Sequence, residues 1–343
     1  MSCGTRQTST MPKTLKARTW TVGGLGMPAV APPVPAVTAE GECEGCSRLP
    51  GVGYRDRVTA VSQAASRPAG GAGTPRGAQP RQLIVTVYGL YSRAEGGWMS
   101  VAALISLLTD LGVDEPAVRS SISRLKRRGI LHASRRDGAA GYALSDEALA
   151  ILREGDRRIF RRERATLGDG WLLAVFSVPE AERQKRHVLR SQLARLGFGT
   201  AAPGVWIAPA HLHDATVGTL RRLGLDSYAD LFRADHIAFG DLAAKVRQWW
   251  DLDQLESLYG QFLDANGPLL RRWRSDPAGE REAFADYVRV LTDWRRLPYL
   301  DPGLPAELLP GNWIGARAAE LFFTLQARLE EAARAHVARV TSG

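Results

Sequence analysis

The stretch Asp114 to Arg128, DEPAVRSSISRLKRR, sets hydroxyls and guanidiniums at helical spacing. Arg119, Ser120, Ser123, Arg124 and Arg127 fall opposite an apolar stripe of Val118, Ile122 and Leu125. Such a face can donate to phosphate oxygens and to the edge of a guanine in a major groove. The plainer reading is an amphipathic helix with a solvated basic side, so its surroundings must decide. Rival chemistry is thinner. Cys43 and Cys46 have CxxC spacing, but no second pair completes a four-ligand zinc site. His211 and His213 alternate without a carboxylate cluster. There is no Gly-rich phosphate loop, GxSxG or HExxH motif. No catalytic residue, metal or cofactor is expected.

The flanking sequence supplies a frame for the basic stretch. Asp114 predicts an N-cap, Pro116 fits the first turn, and Gly129 stops the helix. Upstream, Leu83, Ile84, Val87, Leu90 and Tyr91 have helical spacing, Trp98-Met99 reads as a short strand, and Ser100 caps a helix to Leu111. Downstream, Ile130–Ser134 and Gly141–Leu144 read as strands joined by a turn, Arg135-Arg136-Asp137-Gly138. Ser145 then caps a long helix to about Arg162. Helix, strand, helix, helix, hairpin, helix is the order of a winged helix-turn-helix. Its second helix would read double-stranded DNA, while Lys126 and the hairpin's Arg135 and Arg136 would hold the phosphate backbone.

Charge follows this division. The chain of 343 residues has a net charge of +9. Residues 81–162 carry 14 Lys and Arg against 9 Asp and Glu, whereas residues 163–343 carry 22 against 23. A basic module joined to a neutral half suits nucleic acid on one side and another kind of partner on the other. Residues 1–80, rich in Gly and Pro, read as a disordered tail. All three cysteines lie there, which fits a reducing compartment. No apolar run is long enough to span a membrane and no signal peptide is recognisable, so a cytoplasmic location is expected.

Residues 166–240 read as an α+β segment of ferredoxin-like type. Strands are expected at Trp171–Val178, Val205–Ala208 and near His236–Phe239, with helices between. Residues 241–343 read as helical. A helix over Ala243–Ala265 and another over Phe284–Trp294 precede a Pro-rich loop, and Ala316–Val340 closes the chain. The four prolines between Arg295 and Gly315 suggest a rigid wrapping segment.

From about Arg81 onward the chain resembles the PaaX family of repressors of phenylacetic-acid catabolism. The stretches RQLIVTVYGLYSR with VRSSISRLKRRGIL, GDGWLLAVFSVPEAER with LGFGTAAPGVWIAP, and RRLPYLDPGLPAELLPGNWIG carry the resemblance. It implies an N-terminal winged-helix domain (81–165), a central Cas2-like domain (166–240) and a helical C-terminal domain (241–343). It also implies a homodimer whose operator binding is relieved by a CoA thioester, phenylacetyl-CoA in the best-known members. Such a ligand wants guanidiniums beside aromatic rings, and Arg295, Arg296, Tyr299 and Trp313 bring those types together in the Pro-rich segment. The Cas2 likeness raises the alternative of a metal-dependent nucleic-acid-processing enzyme. The strand that should end in a metal-binding carboxylate runs Phe176-Ser177-Val178-Pro179, with Glu180 arriving only at the next helix. A protein-contact adaptor is the third possibility, and the concentrated positive charge argues against it.

Overall fold

The computed structural model describes residues 79–275 and 279–342, all within one compact unit. The tail up to residue 78, with Cys43 and Cys46, lies outside the described residues.

The first helix, α1 (Pro80–Val87), opens with proline at its first position and a reciprocal Gln79–Gln82 cap. Its residues 82–87 are all buried, and it continues as a π-helical turn, Tyr88–Ser92. Strand β1 (Trp98–Ser100) leads into α2 (Val101–Asp110), capped by the Ser100 side chain, which accepts from the Ala103 N–H at 3.1 Å. Helix α3 (Glu115–Arg127) follows. Strands β2 (Leu131–Arg136) and β3 (Ala139–Leu144) pair antiparallel, and β1 adds to β3 to give the order β1-β3-β2. The hairpin turn is only Asp137 (φ 49°) and Gly138 (φ 80°). Two consecutive positive φ values are what a type I′ turn requires. Arg135 and Arg136 therefore belong to β2, opposite Ala140 and Ala139, and not to the turn. Helix α4 (Asp146–Asp156), capped by Ser145, runs into a second π turn at Arg157–Arg161.

The central segment is β4 (Trp171–Phe176), α5 (Arg183–Leu196), β5 (Gly199–Ala202), β6 (Val205–Pro209), α6 (His213–Arg222) and β7 (Ala229–Ala234). The sheet is antiparallel in the order β5-β6-β4-β7, the βαββαβ arrangement of ferredoxin-like folds. Two strands differ from expectation. No strand is expected over 199–202, where β5 runs, because Leu196-Gly-Phe-Gly199 reads only as the break that ends the preceding helix. A Cβ at Gly199 would lie 2.6 Å from the Trp249 carbonyl oxygen and 2.8 Å from the Trp250 ring, so the strand needs a glycine. The last strand is Ala229–Ala234, not His236–Phe239. It lies at the sheet edge, where exposed Asp230, Phe232 and Arg233 blur the apolar alternation.

The rest is helical: α7 (Leu242–Trp249), α8 (Leu252–Ser275), α9 (Glu280–Trp294), the short α10 (Leu297–Leu300) and α11 (Gly315–Ser342). The single helix expected over Ala243–Ala265 is two. Trp250 turns extended (φ −124°, ψ 142°), its indole N–H donates to the Gly197 carbonyl at 2.9 Å, and Asp251 caps the new helix through Gln254.

One apolar cluster joins α1–α4 to α8, α9 and α11, with Trp294 stacked on Phe322 at 4.8 Å between ring centres. The first segment and the C-terminal helices thus share a core. The central sheet has separate packing on its two faces. Leu172, Ala174 and Trp206 pack under α5 and α6, whereas Trp171 and Ile207 meet Trp249 and Trp250.

Candidate functional site

Helix α3 is held by local chemistry that its sequence announces. The Asp114 carboxylate accepts from the Ala117 N–H at 2.7 Å, and Gly129 (φ 67°) closes the far end. Val118, Ile122 and Leu125 are buried against α1 and α2. Ser121 is also buried, on the same side as the apolar stripe. Arg119, Ser120, Ser123, Arg124, Lys126 and Arg127 are all exposed. Arg119 is engaged one turn back, its Nε donating to Glu115 at 2.7 Å. This pair is solvent-exposed, so little free energy is needed to redirect the guanidinium.

The hairpin stands beside this face. Lys126 lies 5.6 Å from the centre of the Tyr142 ring on β3, and Tyr142 joins Val101, Arg119 and Ser123 along a shallow groove. The Arg136 guanidinium lies over Trp98 at 5.1 Å, and Arg135, the preceding residue of β2, is exposed. Gly141 fixes this geometry. A Cβ there would lie 2.5 Å from the Trp98 ring and 2.6 Å from the Met99 carbonyl oxygen. The eight basic and hydroxyl residues singled out from sequence therefore sit on one helix and the adjoining strand, with the helix and hairpin braced by a shared core.

The C-terminal helices grip this unit from behind. Asp110, at the end of α2, accepts from Arg281 at 2.7 Å and pairs with His336 of α11 at 2.7 Å. Arg289 of α9 donates to the Leu111 carbonyl at 3.1 Å. Farther along, the connection out of α4 is pinned by a buried carboxylate. Asp301 accepts from Arg162, from the Tyr259 hydroxyl at 2.8 Å and from the Gly303 N–H at 2.9 Å, with Arg164 3.7 Å away. Burial alone would raise the Asp301 carboxyl, but Arg162 and Arg164 outweigh it and hold it below the ordinary carboxylate range.

A half-enclosed cavity of about 110 Å³ lies where α1, α4, α5, α6 and the start of the Pro-rich segment meet. Leu90, Ile151, Leu152, Phe160 and Leu291 are among its apolar walls. Among the described residues, five arginines line it, Arg93, Arg158, Arg195, Arg222 and Arg295, with two acidic residues, Glu154 and Asp156. Arg93 is paired with Asp156, Arg222 lies 3.7 Å from Glu154, and Arg295 donates to the Gln82 carbonyl at 3.0 Å. Arg158 donates to the carbonyls of Arg195 (3.1 Å) and Leu196 (2.6 Å), the end of α5. Burial lowers Arg158 and Arg195 and brings Arg295 down to about 10, while it raises the Tyr299 phenol.

Of the four residues singled out for a ligand, the cavity takes in Arg295 and Tyr299. Arg296 and Trp313 are not among its lining residues. Trp313 instead packs edge-on against Tyr259 at 6.0 Å, and a Cβ on Gly315 would lie 2.5 Å from its indole nitrogen. Sequence reading missed Arg93, Arg158, Arg195 and Arg222, which lie far apart in the chain, Arg93 and Arg158 in short turns and Arg195 and Arg222 near the ends of α5 and α6. Among the described residues, no group of three or more His, Cys, Asp or Glu is placed to hold a metal, and His211 and His213 form no such group. No helix among them is long and apolar enough to cross a membrane.

Three family models match in succession. A PaaX-like protein model covers residues 79–148, the PaaX protein central Cas2-like domain covers 164–246, and the PaaX-like protein C-terminal domain covers 250–339. Among curated proteins, the chain is similar to the transcriptional repressor PaaX of Escherichia coli (strain K12). They are 29% identical over 260 residues, spanning 74% of this chain and 82% of that one. Among solved structures it is similar to the uncharacterized protein Rv0674 from Mycobacterium tuberculosis. That likeness has a TM-score of 0.48 and 23% identity, covering 73% of this chain and 96% of the other. Since the three models follow one another from the first described helix almost to the end of the last, the chain belongs to the PaaX family.

Proposed function

We propose that this chain is a cytoplasmic, homodimeric transcriptional repressor that binds operator DNA and is released by an aryl- or acyl-CoA thioester, in control of an aromatic-acid catabolic operon of phenylacetate type. In this reading residues 81–165 are a winged helix-turn-helix with α3 as the recognition helix and the β2–β3 hairpin as the wing. Residues 166–240 and 241–343 form the Cas2-like and helical domains behind it. The supporting observation is the exposed set Arg119, Ser120, Ser123, Arg124 and Arg127 on α3, with Lys126 exposed on the same helix and Arg135 and Arg136 exposed on β2. Hydroxyls and guanidiniums toward the start of α3 suit base edges, whereas the hairpin arginines suit phosphates. The relative in Escherichia coli is itself a transcriptional repressor, which adds weight to this reading over a nucleolytic enzyme. The run from β4 into Phe176-Ser177-Val178-Pro179 also offers no carboxylate.

The test is duplex binding followed by fluorescence anisotropy across a salt series. Arg135→Ala should weaken binding to all sequences alike and reduce the slope of log K against log salt by about one per protomer. Arg119→Ala should cost about 1–3 kcal/mol on the preferred site and far less on random duplex. Salt-independent binding, or none at low salt, would defeat the proposal.

A further inference from the structure

The cavity between α1, α4, α5 and α6 combines features that structural packing alone does not require. Among the described residues, its lining combines apolar side chains such as Leu90, Ile151 and Phe160 with more arginines than acidic residues. Its volume, about 110 Å³, approaches the ~150 Å³ of an engineered cavity that admits benzene. Among the described residues, the buried Arg195 Nη1 atom has no hydrogen-bond partner. A buried donor left unmatched costs free energy, which an incoming acceptor would recover. The walls also belong to both sides of the connection at residues 157–170, so one ligand would touch the first segment and the central one together.

We propose that this cavity is the effector site: it binds an amphiphilic anion, with an aryl or short acyl group against Leu90, Ile151 and Phe160 and the anionic part on Arg195 and Arg222. The proposal rests on the effector reading above and gives it a location. It also gives it a means of transmission. Arg158 ties the end of α5 to the turn after α4 through two carbonyls. An anion beside Arg158 competes for its N–H groups, and the carbonyls at the end of α5 lose their donor. Binding then favours whichever placement of the central segment lets Arg158 serve the ligand. Because α4 shares the core of α1–α3, the position of the recognition helix relative to its dimer partner changes with it. The ligand class follows from the lining: a fully polar anion would leave the apolar wall unused, and a neutral hydrocarbon would leave Arg195 unmatched.

Gly89 offers a clean test. It lines the cavity, and among the described residues a Cβ there meets only Leu152, at 3.7 Å. A larger residue at this helical position fills the cavity and replaces glycine with a better helix former. Calorimetry on the full chain would compare phenylacetyl-CoA, phenylacetate and CoA as probes, with wild type, Gly89→Leu and Arg195→Gln. A melting curve of each variant checks folding, and Gly89→Leu should melt no lower than wild type. The expected result is binding of phenylacetyl-CoA to wild type, loss of it in Gly89→Leu, and a 10- to 100-fold weakening in Arg195→Gln, about what a charge-assisted hydrogen bond is worth. If phenylacetate binds and the thioester does not, with the same variant pattern, the cavity assignment stands and the thioester part of the earlier reading falls. If the thioester binds wild type and a folded Gly89→Leu equally, the cavity assignment is overturned while the effector reading survives. Binding of none of the three probes overturns both.

Discussion

The buried carboxylate of Asp301 supports a quantitative prediction. Its replacement by asparagine keeps the shape and removes the charge. In the native protein Asp301 accepts from Arg162, Tyr259 and Gly303. The Arg162 side chain is only 10% exposed, so its guanidinium cannot exchange the carboxylate for bulk water. Breaking a buried pair from one side typically costs about 3–5 kcal/mol, because the remaining charge stays buried and uncompensated. Arg164, 28% exposed, has the easier escape to solvent and adds little. For a folded region of this size, an unfolding entropy of about 2 cal/mol/K per residue converts that cost to a Tm lower by about 5–9 °C. Thermal unfolding followed by circular dichroism at pH 7 measures it. A shift below about 1 °C would show that Arg162 is not desolvated as its burial implies, and the reasoning from buried charge would fail.

The same carboxylate sets a pH dependence, and a second glycine tests the hairpin. The folded Asp301 pKa is depressed below the unfolded value of about 3.9, so its stabilisation is complete above that value and is lost as pH falls through the folded one. The Tm gap between wild type and Asp301→Asn should hold steady from about pH 5 to 7 and narrow in more acidic solution; a gap that widens on acidification would contradict the assignment. Gly141→Ala places a methyl group against Trp98 and the Met99 carbonyl, so β1 and β3 must separate. It should destabilise the chain by about 1–3 kcal/mol and weaken duplex binding; unchanged melting and binding would show that the hairpin's position does not depend on this approach.

What could be read from sequence was what local chemistry determines. The cap at Asp114, the stop at Gly129 and the 3.6-residue recurrence of Val118, Ile122 and Leu125 all lie within one helix, and α3 forms where they place it. Ser100 and Ser145 mark α2 and α4 for the same reason. Local signals failed where tertiary contact decides. Gly199 looks like a breaker until Trp250 is seen lying across it, and the split between α7 and α8 depends on an indole hydrogen bond to Gly197. The apolar run at Ile237 and Phe239 suggested a strand, yet both side chains are 92% exposed beyond the end of β7. The cavity was the least legible feature. Of the residues chosen in the Pro-rich segment, Arg295 and Tyr299 reach it. Its other arginines come from four separate helices or turns, where each resembles an ordinary surface position. The shared core of the first segment and the C-terminal helices was equally hidden, because pairings such as Asp110 with His336 span most of the chain.

In the proposed repressor, α3 reads DNA sequence and the hairpin holds its backbone. The most direct measurement is selection of bound duplexes from a randomised pool by the full chain, run for wild type, Ser123→Ala, Arg119→Ala and Arg135→Ala. Wild type should enrich two related half-sites whose centres are about 34 Å apart or a multiple of it, as a two-fold dimer requires. Arg119→Ala and Ser123→Ala should relax particular positions of that sequence, whereas Arg135→Ala should return the wild-type sequence at lower affinity. Enrichment of no sequence by wild type, or the same sequence from all four proteins at equal affinity, would contradict the account.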